Sequence, residues 1–220
     1  MRFLGTCPGN GIALRHGPRP GRLVVPLYFN NDGNWLAMCA TVAYSDDHGE
    51  TWNLGHGPND GRRTPDGALD PRTFVDETWS LHEAAVVERR DGTLVLYMRN
   101  QHPCGRVAVS ESHDAGQTWG PIDFDEDLPE IWCQPNAICL PSAEGEDRIV
   151  FANASLMLPF RGCGVIRLSL DGGRTWRRSR TFNPGHYVYQ CMCALPDGRI
   201  GILWENECQG LYFSRIPLSW

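Results

Sequence analysis

The sequence predicts an all-β fold, a β-propeller of about four blades, from three observations. The pattern Ser-x-Asp-x-Gly-x-Thr-Trp recurs as Ser45-Asp47-Gly49-Thr51-Trp52, Ser112-Asp114-Gly116-Thr118-Trp119 and Ser169-Asp171-Gly173-Thr175-Trp176. Its tryptophans stand 67 and 57 residues apart, which is the length of one propeller sheet with its connections. The composition agrees: 24 Gly and 16 Pro in 220 residues separate short β-rich runs, and helical periodicity is nowhere sustained.

Each copy of the pattern follows an apolar run: Thr41-Val42-Ala43-Tyr44, Arg106-Val107-Ala108-Val109 and Val165-Ile166-Arg167-Leu168. It therefore occupies the turn that leaves a strand. There the Asp accepts hydrogen bonds from turn N–H groups, the Gly takes a positive φ, and the Trp covers the strand end. Asp47, Asp114 and Asp171 are accordingly structural. Arg22 to Tyr28 and Arg148 to Ala152 supply preceding strands. Asp91-Gly92 and Asp197-Gly198 are hairpin turns; the first links Glu83–Glu88 to Thr93–Leu96, the second Tyr189–Leu195 to Arg199–Leu203. Residues 1–220 read as one domain of three units and a terminal piece. Propellers hide sheet edges by closing, so four blades with abrupt ends predict an incomplete ring.

Composition removes several function classes. A net charge of −6 and a pI near 5.6 leave no basic footprint for nucleic acid. No apolar run approaches a membrane span, and residues 1–8 hold no signal-peptide stretch. The compartment stays open. Nine cysteines, at 7, 39, 104, 133, 139, 163, 191, 193 and 208, are odd in number and lack CxxC spacing. They read mostly as reduced small hydrophobes in strands, and Cys191 with Cys193 as one inward face. The histidines show no ligand spacing, so neither metal nor cofactor is expected.

Four residues stand at strand ends, where side chains of a propeller converge on one face of the central channel. They are Glu83 in Leu81-His82-Glu83-Ala84, Arg99 in Tyr97-Met98-Arg99-Asn100, Arg161 in Phe160-Arg161-Gly162 and Tyr189 in Val188-Tyr189-Gln190-Cys191.

These residues, in this order, together with the three turn motifs (Asp-boxes, or BNR repeats), make the chain resemble the exo-α-sialidase family. The matching stretches include Pro8-Gly9-Asn10-Gly11-Ile12, Gly21 to Pro26, Phe151-Ala152-Asn153 and Leu195 to Gly201, and Leu211 to Arg215 resembles the closing strand. The resemblance implies a six-bladed propeller of which this chain holds roughly the last two-thirds, the N-terminal blades lying upstream of Met1. It implies a sialylated glycan as substrate. Arg99 and Arg161 match two of the three arginines that hold the sugar carboxylate, a task suited to a planar, permanently charged guanidinium. Tyr189 matches the nucleophile. A carboxylate nucleophile would be repelled by the sugar's own carboxylate, whereas a phenol is neutral but needs a base, which would be Glu83. Sialidases with a tyrosine nucleophile are a known exception to the two-carboxylate rule. The expected course is a covalent sialyl-enzyme intermediate, hydrolysed with retention.

The chain departs from the family at points that bear on activity. Neither the Phe/Tyr-Arg-Ile-Pro segment with the first arginine nor the acid/base aspartate has a counterpart, which implies weak or no turnover. Tyr187 rivals Tyr189 if both share a strand face, though the following Gln-Cys favours Tyr189. Glu205 either orients an arginine or is plain structure. A non-catalytic Asp-box propeller binding glycans or protein partners is the alternative reading.

Overall fold

A computed structural model describes residues 1–31, 36–141, 145–207 and 209–219; Cys208 lies outside them. The first sheet holds β1 (Phe3–Thr6), β2 (Ile12–Ala13), β3 (Leu23–Asn30), β4 (Cys39–Ser45) and β5 (Asn53–Leu54). A two-stranded hairpin, β6 (Arg63–Thr64) with β7 (Gly67–Ala68), and a 3₁₀ turn at Glu77–Trp79 lead into the second. That sheet pairs β8 (Leu81–Glu88), β9 (Leu94–Asn100), β10 (Arg106–Ser112) and β11 (Asp123–Pro129) in sequence order. The third pairs β12 (Asn136–Cys139), β13 (Ile149–Leu158), β14 (Phe160–Ser169) and β15 (Arg178–His186). The fourth pairs β16 (Gln190–Ala194), β17 (Ile200–Glu205) and β18 (Leu211–Ile216). All the neighbours within these four sheets run antiparallel, giving the four-blade β-propeller arrangement that the sequence predicts. Among the described residues no helix is long and apolar enough to cross a membrane.

The core lies between blades. Leu94, Leu96 and Met98 on β9 pack toward the first blade against Val24, Ala40 and Val42. The alternate residues Val95 and Tyr97 pack toward the third, against Ile149, Phe151 and Trp176. The third and fourth blades meet through Val150, Ile166, Met192 and Ile202. A strand covered on both faces has no polar face to show, which is why Leu94-Val95-Leu96-Tyr97-Met98 reads as unbroken apolar sequence.

The Asp-box turns form as the pattern demands. Asp47 accepts from the Thr51 N–H at 2.9 Å and the Thr51 hydroxyl at 2.6 Å, while Gly49 donates to Ser45 Oγ at 2.8 Å. Asp114 and Asp171 repeat the set with Thr118 and Thr175. Two consecutive residues take positive φ in every copy: His48 (61°) and Gly49 (94°), Ala115 (60°) and Gly116 (87°), Gly172 (74°) and Gly173 (81°). At Gly173 a Cβ would also lie 2.1 Å from the buried Tyr97 hydroxyl, so only glycine fits. Trp119 and Trp176 pack into the interfaces with the preceding blades. Trp52, on the first blade, is 47% exposed.

These turns set an acid limit on stability. Burial acts to raise the Asp171 carboxyl, but bonds from Thr175, Ser169 and the turn N–H groups outweigh it and hold it at about 2. A depressed native pKa contributes stability above the unfolded value and loses it as pH falls through the native one. Asp171→Ala is therefore expected to lower Tm by roughly 2–6 °C at neutral pH. The gap from the unsubstituted chain should close between about pH 4 and pH 2 in paired thermal melts.

The cysteine reading needs correction. All eight described cysteines are free, as expected, but only Cys7, Cys39 and Cys133 are buried. Cys191 and Cys193 do share a face of β16, and it is the exposed one. The inward face belongs to Gln190 and Met192, because Met192 fills the interface with the third blade.

Candidate active site

Strand irregularities place the four candidate side chains. The β8–β9 register slips between Leu81 and Ala84, which re-aims His82 and Glu83. The β14–β15 register slips on both sides of Gly164, just beyond Arg161. Tyr189 sits one residue before β16, tied to the strand by a Glu205 N–H donating to its carbonyl at 3.0 Å.

These elements bring Glu83, Arg99, Arg161 and Tyr189 together. The Tyr189 hydroxyl accepts from Arg99 Nη1 at 3.4 Å and from Arg161 Nη1 at 3.2 Å, and the Arg161 guanidinium lies 5.0 Å from the Tyr189 ring centroid. Arg99 Nη1 also donates to Glu83 Oε2 at 2.8 Å. Among the described residues no hydrogen bond joins Tyr189 to Glu83. Arg99 Nη1 donates to both, where the resemblance implies a direct base–nucleophile contact. Burial would lower the Arg99 pKa, yet Glu83 and Tyr189 reverse that and the net direction is up. His82 is held uncharged, its pKa pushed down to about 3 by burial and then by the Arg99 charge.

Tyr187 is no rival. Residues 187–189 form a connection rather than a strand, so no shared face exists. Tyr187 is wholly buried, and burial pushes its hydroxyl far above the ordinary phenol range. Glu205 contributes backbone bonds to Val188 and Tyr189. The carboxylate of this segment that meets Arg161 is Glu207, which accepts from Arg161 Nε at 3.4 Å. Sequence reasoning missed Glu207, though it lies two residues on in the same acidic segment. It also missed Tyr28, hidden in the apolar run of β3. Burial and then the charge of Glu83 raise the pKa of this tyrosine, which places it beside the site.

Interblade apolar cores, Asp-box turns and a tyrosine shared by two arginines define an Asp-box β-propeller with a charged cluster at its strand ends. The chain belongs to the BNR repeat-like domain family, which it matches over residues 5–202. It is 34% identical to a sialidase of Micromonospora viridifaciens over 96% of this chain and 30% of that protein. To a sialidase of Bacteroides fragilis it is 28% identical over 99% of this chain and 36% of the other. Its fold superposes on the leech intramolecular trans-sialidase, solved with 2,7-anhydro-Neu5Ac, at a TM-score of 0.75 and 26% identity. That match covers 99% of this chain and 32% of the leech chain. The chain thus spans about a third of the length of these relatives.

Proposed function

We propose that this chain carries the nucleophile side of an exo-α-sialidase site, which cleaves terminal α-linked sialic acid from glycoconjugates. The observation that carries the reading is the Tyr189 hydroxyl held at 3.4 and 3.2 Å by two guanidinium groups. Cations that converge on one oxygen suit a ligand whose carboxylate sits on the reacting carbon. In the first step Tyr189 Oη would bond to the anomeric carbon as the glycosidic bond breaks, its electron pair leaving with the aglycone oxygen, which takes a proton from solvent or departs as a stabilised phenolate. The phenol proton passes to Glu83, which shares Arg99 Nη1 with the phenol and has to close to hydrogen-bond distance of it in the sugar complex; its Oε1 makes no hydrogen bond among the described residues. Water then attacks the same carbon and gives up one proton to solvent, the bond to Tyr189 Oη breaks, Glu83 returns its proton to the phenolate, and sialic acid leaves with net retention.

Two titrations test this. Sialic acid is expected to bind, and its methyl ester, which lacks the charge, to bind at least roughly tenfold more weakly. An aryl sialoside, whose leaving group needs little protonation, is expected to release its phenol. If neither sugar binds, a propeller for other ligands takes the place of this reading.

A further inference from the structure

The connection from β11 to β12 reaches Arg161 and both chain neighbours of Tyr189, and no motif marks it. Its start is pinned twice. Asn153 Nδ2 donates to the Pro129 carbonyl at 2.6 Å, and the Glu130 N–H to the Gly105 carbonyl at 3.0 Å. Two side chains then reach the fourth blade on either side of Tyr189. Cys133 Sγ donates to the Val188 carbonyl at 2.8 Å, and Gln134 Nε2 to the Gln190 carbonyl at 2.6 Å. Between these anchors Trp132 takes a φ of 63°, and its carbonyl accepts from Arg161 Nη1 at 3.3 Å. Tryptophan in left-handed backbone persists only where its surroundings hold it.

The Glu130 side chain does the holding. It is 7% exposed, and its Oε1 accepts from the Cys133 N–H at 2.9 Å, closing the turn across Trp132. Its Oε2 is buried with no hydrogen-bond partner among the described residues. The Arg99 charge, on β9, acts on it from nearby. Arg161 and Glu83 act on the same turn at Cys133.

We propose that Glu130 is a positioning residue: by closing the Glu130–Cys133 turn it keeps the Trp132 carbonyl on Arg161 and braces the chain on both sides of Tyr189. The geometry stands by itself, while the ligand rests on the sialoside reading above. Burial pushes the Glu130 carboxyl up to about 8, against the pull of the Cys133 N–H and Arg99. At neutral pH it is therefore an uncharged acceptor. Above about pH 8 it ionises, and its charge competes with an anionic ligand for Arg99.

The test is sialic acid binding by calorimetry at several pH values for the full chain, Glu130→Gln and Glu130→Met, with thermal melts alongside. Gln keeps the acceptor but cannot ionise; Met keeps the volume and loses the acceptor. Glu130→Gln is expected to bind within about twofold of the unsubstituted chain at pH 7 and to lack its decline above about pH 8. Glu130→Met is expected to bind roughly tenfold more weakly at every pH. A Met variant with lowered Tm and unchanged affinity would make Glu130 merely structural and overturn the proposal, as would identical pH profiles for the chain and its Gln variant. Should Glu130→Met fail to fold, Glu130→Leu, which also lacks the acceptor, takes its place in the titrations and melts. Should the unsubstituted chain bind no sialic acid, the sialoside reading falls by itself. The Arg161 Nη–H resonances, which report the contact with the Trp132 carbonyl, then serve, and signals unmoved in Glu130→Met end the positioning role as well.

Discussion

Tyr189→Phe is expected to abolish release of phenol from an aryl sialoside while leaving sialic acid binding intact or slightly tighter. The substitution removes one oxygen and keeps the ring over which Arg161 lies. Without that oxygen no bond can form to the anomeric carbon, so turnover should fall by about a thousandfold or more. Binding responds in the opposite sense. In the structure the phenol oxygen occupies one donor on each guanidinium, and the variant frees both for the sugar carboxylate. Turnover would be followed by phenol absorbance and affinity by calorimetry on the same preparation. Loss of both together would mean that the hydroxyl organises the arginines rather than attacking. Retention of turnover would end the nucleophile assignment.

The fold was legible because its devices are local. An Asp-box closes on itself through hydrogen bonds four residues apart, so its presence in sequence nearly guarantees its geometry. The sandwiching of β9 between two blades likewise shows as continuous apolar sequence. Exposure of Cys191 and Cys193 was not legible, since alternation separates two faces of a strand without saying which one meets a neighbour. The site was legible in part. Ordered strand-end residues pointed to Glu83, Arg99, Arg161 and Tyr189, which the fold brings together. Their mutual bonds depend on a register slip at Glu83 and another near Arg161, and neither carries a sequence signature. Glu130, Trp132 and Glu207 lie in connections, where no periodicity assigns a direction to a side chain.

The contact between Glu83 and Arg99 makes the second large expectation a pair of opposite effects. Glu83 and Arg99 side chains are 13% and 19% exposed. Arg99→Ala leaves a mostly buried carboxylate without its cation, a loss of about 3 kcal/mol and roughly 6–12 °C in Tm. It also removes a charged donor from the sugar carboxylate, worth about tenfold to a hundredfold in Kd. Adding Glu83→Ala to Arg99→Ala should return part of the lost stability, because the uncompensated charge goes with it, but none of the lost affinity. Glu83→Gln alone behaves differently. It releases Arg99 from its counter-ion and should leave sialic acid affinity unchanged or improved. Its turnover should fall by about 10²–10⁴-fold if Glu83 takes the phenol proton. That split between affinity and turnover separates a base from a counter-ion. A Glu83→Gln variant with full turnover would reduce Glu83 to a partner for Arg99, and Tyr189 would then need another proton acceptor. Recovery of stability without recovery of affinity in the double variant would assign to Arg99 two separable roles, neutralising Glu83 within the fold and binding the anion at its surface.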